Sequence, residues 1–191
     1  MLNCETFLWW MAGSVYAFND PDAIELTRFQ RGDELPEAWV KTRIVSAIVC
    51  GGNFIDADPF DDPVAARRAE ELLTNPRINA VARQGIAFRP LIGALGSQWS
   101  AKHTGADAAD LFYRDDSTEH EKAALLAIFN FDSVRPTEKK ISFDQIGLGS
   151  TGHMQIIDLW TGNAMECKAE EHAWKLPPGE ASLVRIAADR R

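Results

Sequence analysis

The sequence predicts an α/β segment followed by an all-β segment: two βα units, then an antiparallel β-sandwich. Two observations carry this reading. Twice within residues 1–84, an apolar run ends in a cluster of acids and is followed by a helical pattern. From Gly85 onward the helical spacing gives way to short β-type runs separated by Gly, Asp, Asn and Pro turns. The change divides the 191 residues into a segment 1–84 and a segment 85–191.

The first unit opens with the apolar run 7–17, which includes Trp9 and Trp10 and suits a strand buried on both faces. It leads into Tyr16-Ala17-Phe18-Asn19-Asp20-Pro21-Asp22. Two carboxylates and an amide closing a buried strand build a polar site where a βα-barrel binds substrate, at its C-terminal rim. The same residues also make an Asp-Pro turn for purely local reasons. A helix is expected over residues 37–49. Glu34 and Glu37 suit its positive end, and Trp39, Val40, Ile44, Ala47 and Ile48 give it an apolar face. Gly51 and Gly52 stop it.

The second unit starts with a short strand, 53–57, ending in Asp56, Asp58, Asp61 and Asp62. A helix over 63–73 follows, with Asp62 as its cap and Pro63 at its first position. Thr74-Asn75-Pro76 breaks that helix, and a short apolar segment, 78–82, comes next. Strand, acidic loop, helix, twice over, is the grammar of a parallel sheet or barrel.

In the second segment the expected strands are 87–92, 98–102, 110–114, 122–131, 138–143, 153–158, 172–176 and 181–186. Asp158-Leu159-Trp160-Thr161-Gly162-Asn163 reads as a strand entering a turn, and Pro177-Pro178-Gly179 as the turn before the last strand. Trp99, Trp160 and Trp174 are expected in the sandwich core.

Composition excludes several classes of partner. A net charge of −8 without a Lys/Arg stripe argues against nucleic acid and anionic membranes. The run 7–18 is too short to span a bilayer. Cys4, Cys50 and Cys167 are odd in number and widely spaced, as ordinary thiols in a reducing compartment are. With no signal-peptide pattern after Met1, a cytoplasmic location is the default expectation. His103, His120, His153 and His172 lack metal-ligand spacing, so no metal or cofactor is expected. Asp115, Asp116, Glu119 and Glu121 lack the alternation and Gly of a calcium loop and read as a solvated turn.

The order Asn19-Asp20-Pro21-Asp22, helix, Gly52-Asn53-Phe54-Ile55-Asp56, helix, then a sandwich ending Asp158-Leu159-Trp160-Thr161-Gly162 and Leu176-Pro177-Pro178-Gly179-Glu180-Ala181 resembles the α-galactosidase (melibiase) clan of glycoside hydrolases. The resemblance implies that the motif closes strand seven of a (β/α)8 barrel. The last two βα units of that barrel would then be followed by a C-terminal antiparallel β-sandwich. It further implies that Asp22 reaches the sugar pocket and that Asp20 braces its loop. Phe18 stands where the clan often has Trp, and Ala23 where it often has Met, which leaves the sugar preference open.

Asp20 and Asp22 are a poor catalytic pair on physical grounds. Retaining glycosidases place two carboxyls about 5–5.5 Å apart, flanking the scissile bond. Residues i and i+2 of one strand are spaced roughly 6.5–7 Å apart but share a face, and Pro21 restricts the backbone between them. The resemblance implies instead that nucleophile and acid/base close strands four and six, outside this chain. Catalytic residues are therefore expected to be none here, with Asp22 and Asp20 as substrate-binding residues. The chain should not hydrolyse a glycoside alone, since two βα units cannot close a barrel. Their open edges invite the missing barrel portion, or self-association. Asp56 and Asp58 are better read as a solvated loop or helix cap than as sugar ligands. Trp9 and Trp10 could stack on a sugar ring or pack in a core. The expected function is the C-terminal portion of an α-galactosidase-like retaining hydrolase acting on α-linked, galactose-type glycosides. The alternative is a non-catalytic carbohydrate-binding or interaction module built on the sandwich.

Overall fold

The computed structural model describes residues 23–28, 34–52, 55–91, 109–149 and 153–188. Two short strands, β1 (Ala23–Ile24) and β2 (Ile55–Asp56), pair in parallel, Ala23 opposite Ile55 and Ile24 opposite Asp56. Helix α1 (Glu37–Cys50) lies between them in sequence, so the three elements form the expected βαβ crossover. A single parallel pair does not define a barrel, and no barrel closes among the described residues.

The helices form for the reasons the sequence supplies. Val40, Ile44, Val45, Ile48 and Val49 recur at three- and four-residue spacing and are all buried. Gly51 ends α1 with φ +67°, and a Cβ there would come within 2.2 Å of the Ala87 backbone nitrogen, so only glycine fits. Helix α2 (Pro63–Arg68) starts on Asp62, whose carboxylate accepts from the Val64 amide at 2.8 Å. It runs on through one π-helical turn, Ala69–Leu73.

The segment read as a break followed by an apolar stretch is a third helix, α3 (Pro76–Ala82). Asn75 caps it by accepting from the amides of Arg77 and Ile78, and Pro76 occupies its first turn. The residues that end one helix are good at starting the next.

The β-half is built on one six-stranded antiparallel sheet, in the order β3-β4-β5-β10-β7-β8. Its strands are β3 (Arg89–Pro90), β4 (Leu111–Asp115), β5 (Ala123–Phe129), β7 (Met154–Asp158), β8 (Ala164–Cys167) and β10 (Ala181–Ala188). A two-stranded ribbon of β6 (Thr137–Ser142) and β9 (Glu171–Leu176) forms a separate sheet, not paired with its strands. Strand β8 has no counterpart in the expected strand set, and the expected strand at 98–102 lies outside the described residues.

The sheet is covered on both faces, which departs from a simple sandwich. Strand β5 is buried along its whole length. Leu125, Ala127 and Phe129, with Phe112 and Leu183 on neighbouring strands, pack in a core with Val40, Ile44 and Ile48 of α1 and with Ile78 and Val81 of α3. The alternate residues, Ala124, Leu126 and Ile128, pack with Tyr113, Ile156 and Ile186 against Ile141, Phe143 and Leu176. The period of two along β5 thus serves two cores at once. Only two strands oppose the sheet among the described residues, and helices cover its other face.

The halves are also joined by specific contacts. The Thr42 hydroxyl donates to the Gly179 carbonyl at 2.7 Å, and Trp39 lies against Gly179. Arg77 donates to the carbonyls of Leu159 and Trp160, both at 3.1 Å, and Asn75 donates to Trp160 at 2.9 Å. Trp160 and Trp174 are partly buried, one against each core.

Candidate functional site

The sequence-predicted sugar residues, Asp20 and Asp22, lie outside the described residues, as do Trp9, Trp10 and Trp99. What is described begins one residue later. The parallel strand β1 follows the motif directly, at Ala23–Ile24.

The C-terminal ends of β1 and β2 point the same way, and the chain there builds a polar cluster. The Ala57 amide donates to the Ile24 carbonyl at 2.9 Å, extending the ladder by one bond. Asp58 then turns inward. It is 6% exposed and accepts from the Leu26 amide and from the Thr27 hydroxyl. Its own amide donates to Asp56 Oδ1 at 2.9 Å.

Two arginines reach the same turn from the helices. Arg68, on α2 and 7% exposed, donates to the Leu26 carbonyl, and its guanidinium lies 3.9 Å from Glu34. Arg43, on α1, donates to the carbonyls of Glu25 and Arg28, the latter at 2.8 Å. The expectation of a solvated loop or helix cap is therefore corrected for Asp56 and Asp58. The cap is Asp62, while Asp58 is a buried acceptor for a turn 32 residues away in sequence. No local pattern in the sequence marks such a partner.

Asp56 has an unusual environment. Burial, with the neighbouring Asp58 carboxylate adding to it and the Asp58 amide partly offsetting it, raises its carboxyl from the ordinary 3.8 to about 6. Its Oδ2 and the Arg68 Nε are buried without a hydrogen-bond partner. Ile55, adjacent on β2, is 49% exposed. Strand residues alternate in facing, so the face opposite Asp56 is apolar and open. In a closed barrel both faces of a strand are covered.

The acidic turn expected to be solvated is also corrected. Asp116 and Glu121 do not sit in a merely solvated turn: Arg185 pairs with both, its Nε 2.7 Å from Asp116. No group of three or more His, Cys, Asp or Glu residues able to hold a metal occurs among the described residues. No helix among them is long and apolar enough to cross a membrane. A cavity of about 280 Å³ opens beside β7, β8 and β10, lined by Glu121, His153, Gln155, Glu166 and Cys167 among others. None of its lining residues belongs to β1, β2 or the turns after them.

Solved structures share this architecture. The chain superposes on α-galactosidase I from Mortierella vinacea with a TM-score of 0.66 at 12% identity, covering 88% of this chain and 39% of that one. The fold is that of part of an α-galactosidase-like glycosidase. A GH27 β-L-arabinopyranosidase from Geobacillus stearothermophilus, solved with arabinose, gives a TM-score of 0.71 at 15% identity and covers 98% of this chain and 41% of that one. An isomalto-dextranase from Arthrobacter globiformis T6, complexed with panose, gives 0.64 at 15% identity and covers 90% and 26%. This chain thus spans two-fifths or less of the α-galactosidase and isomalto-dextranase chains, and 41% of the arabinopyranosidase. No protein-family profile matches it, and no curated protein matches it by sequence.

Proposed function

We propose that this chain supplies the end of the barrel and the supporting β-domain of an α-galactosidase-like retaining glycoside hydrolase, with an α-linked galactose-type glycoside as substrate. The observation that carries this reading is the shared order of elements. A parallel βαβ crossover, β1–α1–β2, is followed by an antiparallel β-domain, within a fold shared over 88% of the chain with an α-galactosidase and 98% with a GH27 β-L-arabinopyranosidase.

Under this reading Asp22 accepts a hydrogen bond from a sugar hydroxyl and Asp20 braces the motif. Six further βα units complete the barrel and bring the nucleophile and the acid/base. Residues 1–84 form the barrel part and 85–191 the β-domain. The exposed face of β2 at Ile55 supports barrel completion, because the remaining strands would cover it. The chain by itself holds sugar weakly and does not turn it over.

The test is a D-galactose titration of the chain followed by ¹H–¹⁵N NMR, beside an assay on an aryl α-galactoside. Saturable shifts around residues 20–24, lost in Asp22→Ala, are expected, with affinity near the millimolar level (about −4 kcal/mol). Hydrolysis is expected to be absent. Shifts that persist unchanged in Asp22→Ala would refute the assignment.

A further inference from the structure

The loop that leaves β2 brings two carboxyl groups together beside the turn that leaves β1. Asp58 is more than nine-tenths buried, and both its oxygens are taken, one by the Leu26 amide and one by the Thr27 hydroxyl. Asp56 is half-buried. Its Oδ1 accepts from the Asp58 amide at 2.9 Å, while its Oδ2 is buried without a hydrogen-bond partner. The Asp58 carboxylate lies within hydrogen-bond reach of the Asp56 carboxyl.

Two ionised carboxylates in contact are acceptors with no donor between them. A buried acceptor left unpaired also bears the full cost of its desolvation. One proton on Asp56 removes both faults, since it supplies a donor and cancels one of two like charges. The cations nearby do not take over that task. Arg43, from α1, faces Glu25 and Asp58 and donates to the carbonyls of Glu25 and Arg28. Arg68, from α2, donates to the Leu26 carbonyl and lies 3.9 Å from Glu34. Among the described residues, Asp58 is the one whose charge bears on Asp56.

We propose that Asp56 and Asp58 form a latch between the ends of β1 and β2 that one shared proton closes. With the proton on Asp56, the loop after β2 is held against the turn after β1. When the proton leaves to water, Asp56 swings outward to be hydrated and the Asp58 amide loses its acceptor. Asp58 then loosens its hold on Leu26 and Thr27. Burial and the Asp58 carboxylate raise the Asp56 carboxyl to about 6, so the latch is closed in mild acid and opens as pH rises through that value. The competing role is structural only: ionising Asp56 weakens the whole fold evenly and opens nothing locally.

The experiment measures amide hydrogen exchange in the whole chain at pH 4.5 and pH 7.5, as protection relative to the intrinsic rate at each pH, for the wild type and Asp56→Asn. Between the two conditions, the wild-type Leu26 and Asp58 amides should lose at least about tenfold more protection than Leu126 and Ile128 of β5, which report opening of the sheet. Asn cannot ionise and offers both an acceptor and a donor. In Asp56→Asn the Leu26 and Asp58 amides should therefore keep their acid-level protection at pH 7.5. A wild-type loss no larger at Leu26 and Asp58 than in β5 would overturn the proposal, and so would an equal loss in Asp56→Asn. Should Asp56→Asn not fold, Asp56→Ser, which also lacks the titrating group, is judged by the same criteria. A carbon-13 titration of the Asp56 carboxyl gives a separate reading: a midpoint near 6 is expected, and one at the ordinary 3.8 overturns the latch.

Discussion

Replacing Asp56 by Asn should make this protein more stable at neutral pH, and the gain should vanish in acid. The carboxyl is raised from 3.8 to about 6, first by burial and then by its neighbour Asp58. A folded-state value above the unfolded one means the protonated group is compatible with the fold. Its contribution is fully present below about pH 4 and is lost as pH rises through about 6. A gap of about 2 pH units corresponds to at most about 3 kcal/mol. Asp56 is only half-buried, so solvent screening reduces this, and about 1 kcal/mol is the working figure. Asn keeps the oxygen that accepts from the Asp58 amide and carries no charge. The assay is thermal unfolding of the wild type and Asp56→Asn at pH 3 and pH 7.5. The two should melt together at the lower pH, with the variant about 2–4 °C higher at the upper. Taking the difference between the two proteins removes the titrating groups that do not interact with Asp56, including Asp115 and Asp132, whose hydrogen bonds lower their pKa and give the opposite pH slope. A difference that does not change with pH, or one that favours the wild type at pH 7.5, would refute the reasoning.

Two further substitutions test the joint between helices and sheet. Gly179→Ala would set a Cβ 2.4 Å from Trp39 Nε1 at a backbone φ of +70°, so a loss of about 1–3 kcal/mol is expected, read as a lower urea midpoint with unchanged slope. Asn75→Ala removes the α3 cap and the bond to the Trp160 carbonyl together; about 1–2 kcal/mol should be lost, and hydrogen exchange should quicken across residues 76–82.

The elements legible in the sequence were those whose signal is local. The α1 stripe with its Gly51 stop, the Asp62-Pro63 start, and the apolar run of β5 each declare themselves within a dozen residues. Strand β8 did not, because Ala164, Met165 and Glu166 are all exposed and show no alternation. Helix α3 was masked by chemistry shared between endings and beginnings, since Asn75-Pro76 serves both. The role of Asp58 was illegible for a different reason. Its partners, Leu26 and Thr27, are neighbours only through the parallel pairing of β1 with β2, and a spacing of 32 and 31 residues leaves no periodic trace. The two-faced covering of the sheet is likewise a tertiary fact: β5 reads the same whether ribbon or helix lies above it. The motif itself, Asn19 to Asp22, was the most informative stretch by resemblance.

The Trp39–Gly179 contact and the core beneath it bear on how such a protein could be taken apart or recombined. Phe112, Phe129 and Leu183 present one side of the sheet to α1 and α3, not to water. A β-domain excised at residue 85 would carry that side bare, and a foreign barrel grafted onto it would need to bring a helix of matching relief. The portable cassette is therefore the sheet with both α1 and α3. In any shuffling of this architecture, the crossover point that keeps this core intact lies ahead of Glu37.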